Sequence, residues 1–146
     1  MGIGVKPGTK WFLDTSYALA LVSKSDAGHE TARALASEGE SRGVALVTTQ
    51  AVLLEIGNAM AKVPTRGFGV RLLEKVHRDP AINIVSITDD LYREAFAAYR
   101  GRPDKEWGLI DCMSFVIMQR LGIREALTTD HHFEQAGFRA LMRSPR

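Results

Sequence analysis

Residues 11–22 read Trp11-Phe12-Leu13-Asp14-Thr15-Ser16-Tyr17-Ala18-Leu19-Ala20-Leu21-Val22. Three large apolar residues in succession, without polar alternation, describe a strand buried on both faces, as in parallel sheets. The run stops on an acid, and the eight residues after it are apolar enough for a docked helix. Strand, carboxylate and helix together make the first half of a βαβ unit. The same order recurs downstream. Residues 44–47 form a second apolar run, followed by Thr49 as a helix cap. Residues 82–87 alternate as a third strand and pass through Thr88-Asp89-Asp90 into a helix reaching Tyr99, with its acids placed to suit the helix dipole. Residues 125–128 read as a fourth strand, and residues 138–142 as an edge strand.

The intervening segments are helical. Asp26 is expected to cap a helix over residues 27–40, and Thr49 one over residues 50–62. Pro64 suits the opening of the next helix, which ends near Asp79-Pro80. Asp111 opens the segment DCMSFVIMQRL, apolar nearly all the way round and stopped by Gly122, so this should be the central buried helix. The alternation predicts an α/β fold around a mainly parallel sheet of four to five strands. One domain is expected over residues 11–143, with residues 1–10 as a flexible leader rich in Gly and Lys.

Composition excludes several classes. With 45% hydrophobic and 25% charged residues, the chain is neither a disordered tail nor a fibre. Its one cysteine, Cys112, rules out an intramolecular disulfide and suits a reducing, cytoplasmic setting. No apolar stretch approaches the ~18–20 residues a membrane span needs. The balance of 19 Lys+Arg against 17 Asp+Glu neither selects nor excludes nucleic acid.

The informative pattern is where the acids fall. Asp14 and Asp130 follow strand-like runs, and Asp111 stands at the mouth of the buried helix. In an open parallel sheet, ligands bind at the carboxyl ends of the strands. Glu55 lies at the margin of an apolar arc formed by Val52, Leu53, Ile56, Ala59, Met60 and Val63. Taken singly, each Asp is explained as a helix cap contributing about 1 kcal/mol, and Glu55 as a solvated acid. Capping does not predict three Asp residues on one edge of one sheet with a Glu nearby.

Convergent carboxylates raise one another's pKa unless a cation offsets them. Hard oxygen donors select Mg²⁺ or Mn²⁺ over zinc, and no His or Cys set here has zinc spacing. One or two such ions, about 3.5–4 Å apart when paired, serve phosphodiester chemistry. Metal-dependent hydrolysis of nucleic acid is the natural inference.

Leu13-Asp14-Thr15-Ser16, the isolated Glu55, Lys105-Glu106-Trp107 leading to Asp111-Cys112-Met113-Ser114-Phe115, and Thr128-Thr129-Asp130-His131-His132-Phe133 resemble a PIN domain. The likeness is closest to VapC-type toxin ribonucleases and small stand-alone PIN proteins, and it spans residues 10–142. It implies a three-layer α/β/α sandwich that cleaves RNA with Mg²⁺ or Mn²⁺. The family's acidic quartet maps onto Asp14, Glu55, Asp111 and Asp130. By that resemblance Asp14 and Asp111 are the main metal ligands, Asp130 completes the set, and Glu55 orients a water or a second ion. Thr15 and Thr129 would support the carboxylates with their hydroxyls, and water would be the nucleophile. Similar proteins carry a Ser or Thr just before the third acid. Gly108-Leu109-Ile110 offers none, so Ser114, one turn on, is the expected substitute. A homodimer and an antitoxin partner seated near the early helices are further implications.

Other conspicuous residues have plainer readings. Cys112 reads as a small core hydrophobe. His131 and His132 point about 100° apart on a helix, which does not suit a shared metal. Arg100, Arg102 and Lys105 form a basic loop before Asp111, ordinarily a solvated surface; Arg102 and Lys105 are the two expected to hold an RNA backbone. A signalling receiver domain fits poorly, because the third strand ends in Thr88 without a buried Asp. A non-catalytic PIN-fold module that binds nucleic acid or protein is the alternative.

Overall fold

The computed structural model describes residues 8–143. Most of the expected leader, residues 1–7, lies outside the described residues. Lys10, at its end, already belongs to strand β1 (Lys10–Leu13). After β1 come α1 (Thr15–Val22), α2 (His29–Arg42), β2 (Ala45–Thr49), α3 (Gln50–Ala59), α4 (Val63–Arg78) and β3 (Ile82–Val85). Then follow α5 (Asp89–Gly101), α6 (Leu109–Leu121), β4 (Glu125–Leu127), α7 (His131–Gln135) and β5 (Arg139–Ala140). The five strands form one sheet in the order β3-β2-β1-β4-β5, and every pairing is parallel.

β1 is the central strand, and Trp11, Phe12 and Leu13 are all buried, so helices cover both faces of the sheet. On one face the Trp11 ring lies against Gly39 of α2, where a Cβ would come within 3.1 Å of the indole. On the other, Phe12 meets Phe133 of α7, which packs edge-on against Phe115 of α6 at 5.0 Å. Residues 112–118 of α6 are buried without a break, as the apolar run predicts. This is the expected three-layer α/β/α arrangement.

Local start and stop signals mostly held, and the departures have clear causes. Thr49 and Thr88 cap α3 and α5 through their hydroxyls, which accept from Val52 N and Leu91 N. Pro64 sits in the first turn of α4. Asp26 does not cap α2; its Oδ1 accepts from Gly28 N, closing a turn that delays the helix to His29. α3 ends at Ala59, before the expected 62, because Lys62 is already extended as the N-cap of α4. The edge strand shrinks to two residues, Arg139–Ala140.

A switch in the direction of strand addition at β1 positions the site. From β1 the sheet grows one way through β2 and β3, and the other way through β4 and β5. The crevice where the growth direction switches is where open α/β sheets bind ligands. Asp14 follows β1 at that crevice, its backbone N–H donating to Leu127 O of β4 at 3.2 Å.

Candidate active site

Asp14 is the deepest of the four acids, only 6% exposed. It occupies the N-cap position of α1 but makes no side-chain cap. Instead its Oδ2 accepts a hydrogen bond of 2.7 Å from the buried hydroxyl of Thr128. Burial pushes its pKa up to about 7, against the lowering pull of the Thr128 hydroxyl and the Thr15 N–H, and the charges of Asp111 and Glu55 push the same way as burial. Capping does not explain this residue. A carboxyl held in that state awaits a countercharge.

Asp111 does not open α6. The helix begins at Leu109 with Gly108 as N-cap, and Asp111 sits one turn in, its Oδ2 accepting from Gly108 N at 3.1 Å. Half-burial raises its pKa first; the Gly108 N–H opposes, the charge of Asp130 raises it further, and His132 lowers it. Asp130 is the N-cap of α7, its Oδ1 accepting from His132 N at 2.9 Å, so here the capping reading holds. Glu55 is an exposed residue of α3 whose Oε1 accepts a short hydrogen bond from the Thr15 hydroxyl. The electrostatic influence of Glu55 and Asp111 on Asp14, and of Asp130 on Asp111, brings all four expected acids into one cluster.

The supporting hydroxyls are partly different from those expected. Thr15 supports Glu55. Thr128, not Thr129, supports Asp14; its oxygen also accepts from Asp130 N at 3.0 Å and lies 3.2 Å from Ser16 Oγ. Thr129 is exposed, and its backbone N–H donates to Ser16 Oγ at 3.0 Å. Ser114 does not reach the carboxylates, because its hydroxyl donates to Ile110 O within its own helix. The sequence reading chose Thr129 of the Thr128-Thr129 pair, and it left Ser16 unassigned.

His132, at the start of α7, stands close to two of the acids. Its Nδ1 lies 3.3 Å from Asp111 Oδ2 and 3.3 Å from Asp130 Oδ1. His131 is more exposed and stands 3.7 Å from Asp130. A cavity of about 390 Å³ opens beside these groups, lined by Lys105, Glu106, His132 and Gln135 among others. Arg102 sits near its rim, held by Asp104 through two 3.0 Å hydrogen bonds and stacked over the Trp107 ring.

The donor set fits a hard divalent cation. Four carboxylates influence one another around one crevice, two of them with raised pKa, and a positive ion is what would let them all ionise.

The family model for the PIN domain matches residues 11–139. The chain belongs to the PIN domain family. Its α/β fold with a five-stranded parallel sheet is that of the family. Among curated proteins it is similar to the 23S rRNA-specific endonuclease VapC20 of Mycobacterium tuberculosis, in strains CDC 1551 / Oshkosh and H37Rv. Identity is 28% over 127 residues, covering 87% of this chain and 94% of that protein. The crystal structure of M. tuberculosis VapC20, described as a Sarcin-Ricin loop cleaving toxin, superposes with a TM-score of 0.78. There identity is 27%, over 87% of this chain and 95% of the other. This PIN domain therefore carries its acids on a backbone shared along nearly the whole length of a toxin nuclease.

Proposed function

We propose that this PIN domain is a metal-dependent endoribonuclease, the toxin of a toxin–antitoxin pair, acting on RNA in the cytoplasm. The observation that carries the reading is the convergence of Asp14, Glu55, Asp111 and Asp130 at the β1/β4 crevice. Asp14, Asp111 and Asp130 hold Mg²⁺ or Mn²⁺, and Thr15 fixes Glu55 at the edge of the site. When bound, the ion supplies Lewis acidity toward a phosphodiester and offsets charge on the departing oxygen. Thr128 keeps the Asp14 carboxylate aimed, and Ser16 braces Thr128 and the Thr129 backbone. Arg102 and Lys105 receive the RNA backbone beside the crevice, with Asp104 holding the Arg102 fork in place. The substrate named for the M. tuberculosis relative makes 23S rRNA the first RNA to offer.

Two surfaces fit the partners. A largely apolar groove of about 540 Å³ between α1, α2 and α4, with Tyr17, Leu35 and Phe68 on its walls and Glu40, Arg71, Lys75 and Asp79 among its polar lining, suits an apolar antitoxin segment. The exposed, stacked rings of Tyr92, Phe96 and Tyr99 on α5 suit a second copy of the chain.

The deciding experiment is cleavage of an RNA pool and of 23S rRNA with Mn²⁺ or Mg²⁺, then with EDTA. Asp14→Asn and Asp111→Asn proteins run beside it to exclude a contaminating ribonuclease. Metal-dependent cleavage lost in both variants supports the nuclease. Cleavage that persists in both overturns it, and RNA binding without cleavage or metal uptake returns the binding-module alternative.

A further inference from the structure

The acids do not meet alone. His132 Nδ1 stands 3.3 Å from Asp111 Oδ2 and 3.3 Å from Asp130 Oδ1, the same distance from each. The contact with Asp111 is a long hydrogen bond, well outside the about 2.7–2.9 Å to which a charge-assisted N–H···O bond closes. Two ligand atoms on adjacent corners of an octahedron with arms of about 2.1 Å lie about 3 Å apart. The imidazole nitrogen therefore stands from each oxygen about as far as one ligand of an ion stands from its neighbour.

We propose that His132 is a nitrogen ligand of the divalent ion, forming with Asp111 and Asp130 a mixed oxygen and nitrogen set that favours Mn²⁺ over Mg²⁺. The proposal rests on the reading that these carboxylates hold a metal, and it extends that reading to a donor outside the acidic quartet. Imidazole suits first-row transition ions, whereas Mg²⁺ takes oxygen donors almost exclusively.

The three groups are set in place before any ion arrives. Asp111 is tied to Gly108 N, and Asp130 Oδ1 to the backbone N–H of His132 itself. That second bond fixes the start of α7, and with it the direction in which the His132 side chain leaves the backbone. His132 is 19% exposed at the side chain, close to the 20% of Asp111, whereas His131 is 56% exposed. The candidate donor atoms of Asp130, His131 and His132 all lie within 4.8 Å of one another, but only His132 also approaches Asp111.

The test uses the full chain with Mn²⁺ alone and no RNA. Pulsed electron paramagnetic resonance reads the coupling of a directly bound ring nitrogen, with ¹⁵N-histidine protein as the isotope control. Coupling should appear in the wild type and in His131→Gln and vanish in His132→Gln, with thermal melts checking that each variant is folded. Calorimetry should show Mn²⁺ affinity falling in His132→Gln by at least the roughly 10-fold that loss of even an outer partner costs, with Mg²⁺ affinity held. Bound Mn²⁺ without nitrogen coupling overturns the proposal and leaves the carboxylate site standing. Equal loss of both ions in His132→Gln overturns it too, since that marks a positioning role. Failure of the wild type to bind Mn²⁺ overturns both this proposal and the metal reading beneath it.

Discussion

The Thr128 hydroxyl donates to Asp14 Oδ2 across 2.7 Å, joining residues 114 apart in the chain at the seam between β1 and β4. The same oxygen accepts from Asp130 N, so one buried hydroxyl ties the deepest acid to the segment that carries Asp130. Thr128→Val removes the donor while keeping the shape. The Asp14 carboxylate then loses the interaction that most lowers its pKa, and metal affinity should fall about 10–100-fold. Thr128→Ser should restore most of it. Calorimetric titration with Mn²⁺ reads the difference, and wild-type affinity in Thr128→Val would remove Thr128 from the site.

Without metal, Asp14 makes folding sensitive to pH. Its folded pKa of about 7 lies above the ordinary value of 3.8, so the fold favours the protonated acid. The associated stability is complete below about pH 4 and is lost as pH rises through about 7, on the order of 4 kcal/mol in all. Urea midpoints in EDTA should therefore fall between pH 4 and pH 8, and Asp14→Asn should flatten that fall. Mn²⁺ at 100 times its Kd should return about 2.7 kcal/mol at pH 8 in the wild type only. Parallel pH profiles for the two proteins would mean that another group governs acid stability.

Asp111 has two separable roles, closing the first turn of α6 and adding charge to the cluster. Asparagine can still accept from Gly108 N but carries no charge, whereas alanine loses both. Metal-free Asp111→Asn should thus be as stable as the wild type or more so, because repulsion with Asp14 and Asp130 is relieved. Asp111→Ala should lie about 1 kcal/mol below Asp111→Asn for the lost hydrogen bond. Neither should gain stability from Mn²⁺. Thermal melts with and without the ion settle the ranking, and an Asn variant that falls with the Ala variant would show that capping is not what Asp111 contributes.

Most of the fold was legible because its signals are local or come from full burial. Trp11, Phe12 and Leu13 are buried on both faces, so their run lacks alternation, and Thr49 and Thr88 cap helices by bonds to residues three ahead. The acids were legible as strand-end and helix-mouth positions. What was not legible depends on pairing across the chain. Thr128 and Thr129 are alike in sequence; the register of Leu13 against Leu127 decides which one is buried beside Asp14. His131 and His132 differ in the same way, since only the packing of α7 against α6 turns one ring toward Asp111. Asp26 and Ser114 misled because a short polar side chain bonds the nearest backbone group, whatever site lies near.

The basic loop offers the last prediction. Arg102 is locked to Asp104 by two hydrogen bonds and lies over the Trp107 ring, and Lys105 stands 3.8 Å from the same carboxylate. Arg102 holds the Asp104 carboxyl down to about 2, so the acid stays ionised and masks part of the positive charge at all working pH. If the loop receives RNA, Arg102→Ala with Lys105→Ala should raise KM several-fold with kcat retained. It should also flatten the dependence of log affinity on log salt by about 0.7 for each lost phosphate contact on single-stranded RNA. Asp104→Asn should act in the opposite sense, lowering KM at low salt by unmasking the cations. An unchanged KM and an unchanged salt slope in the double variant would place the RNA backbone elsewhere on the rim of the crevice.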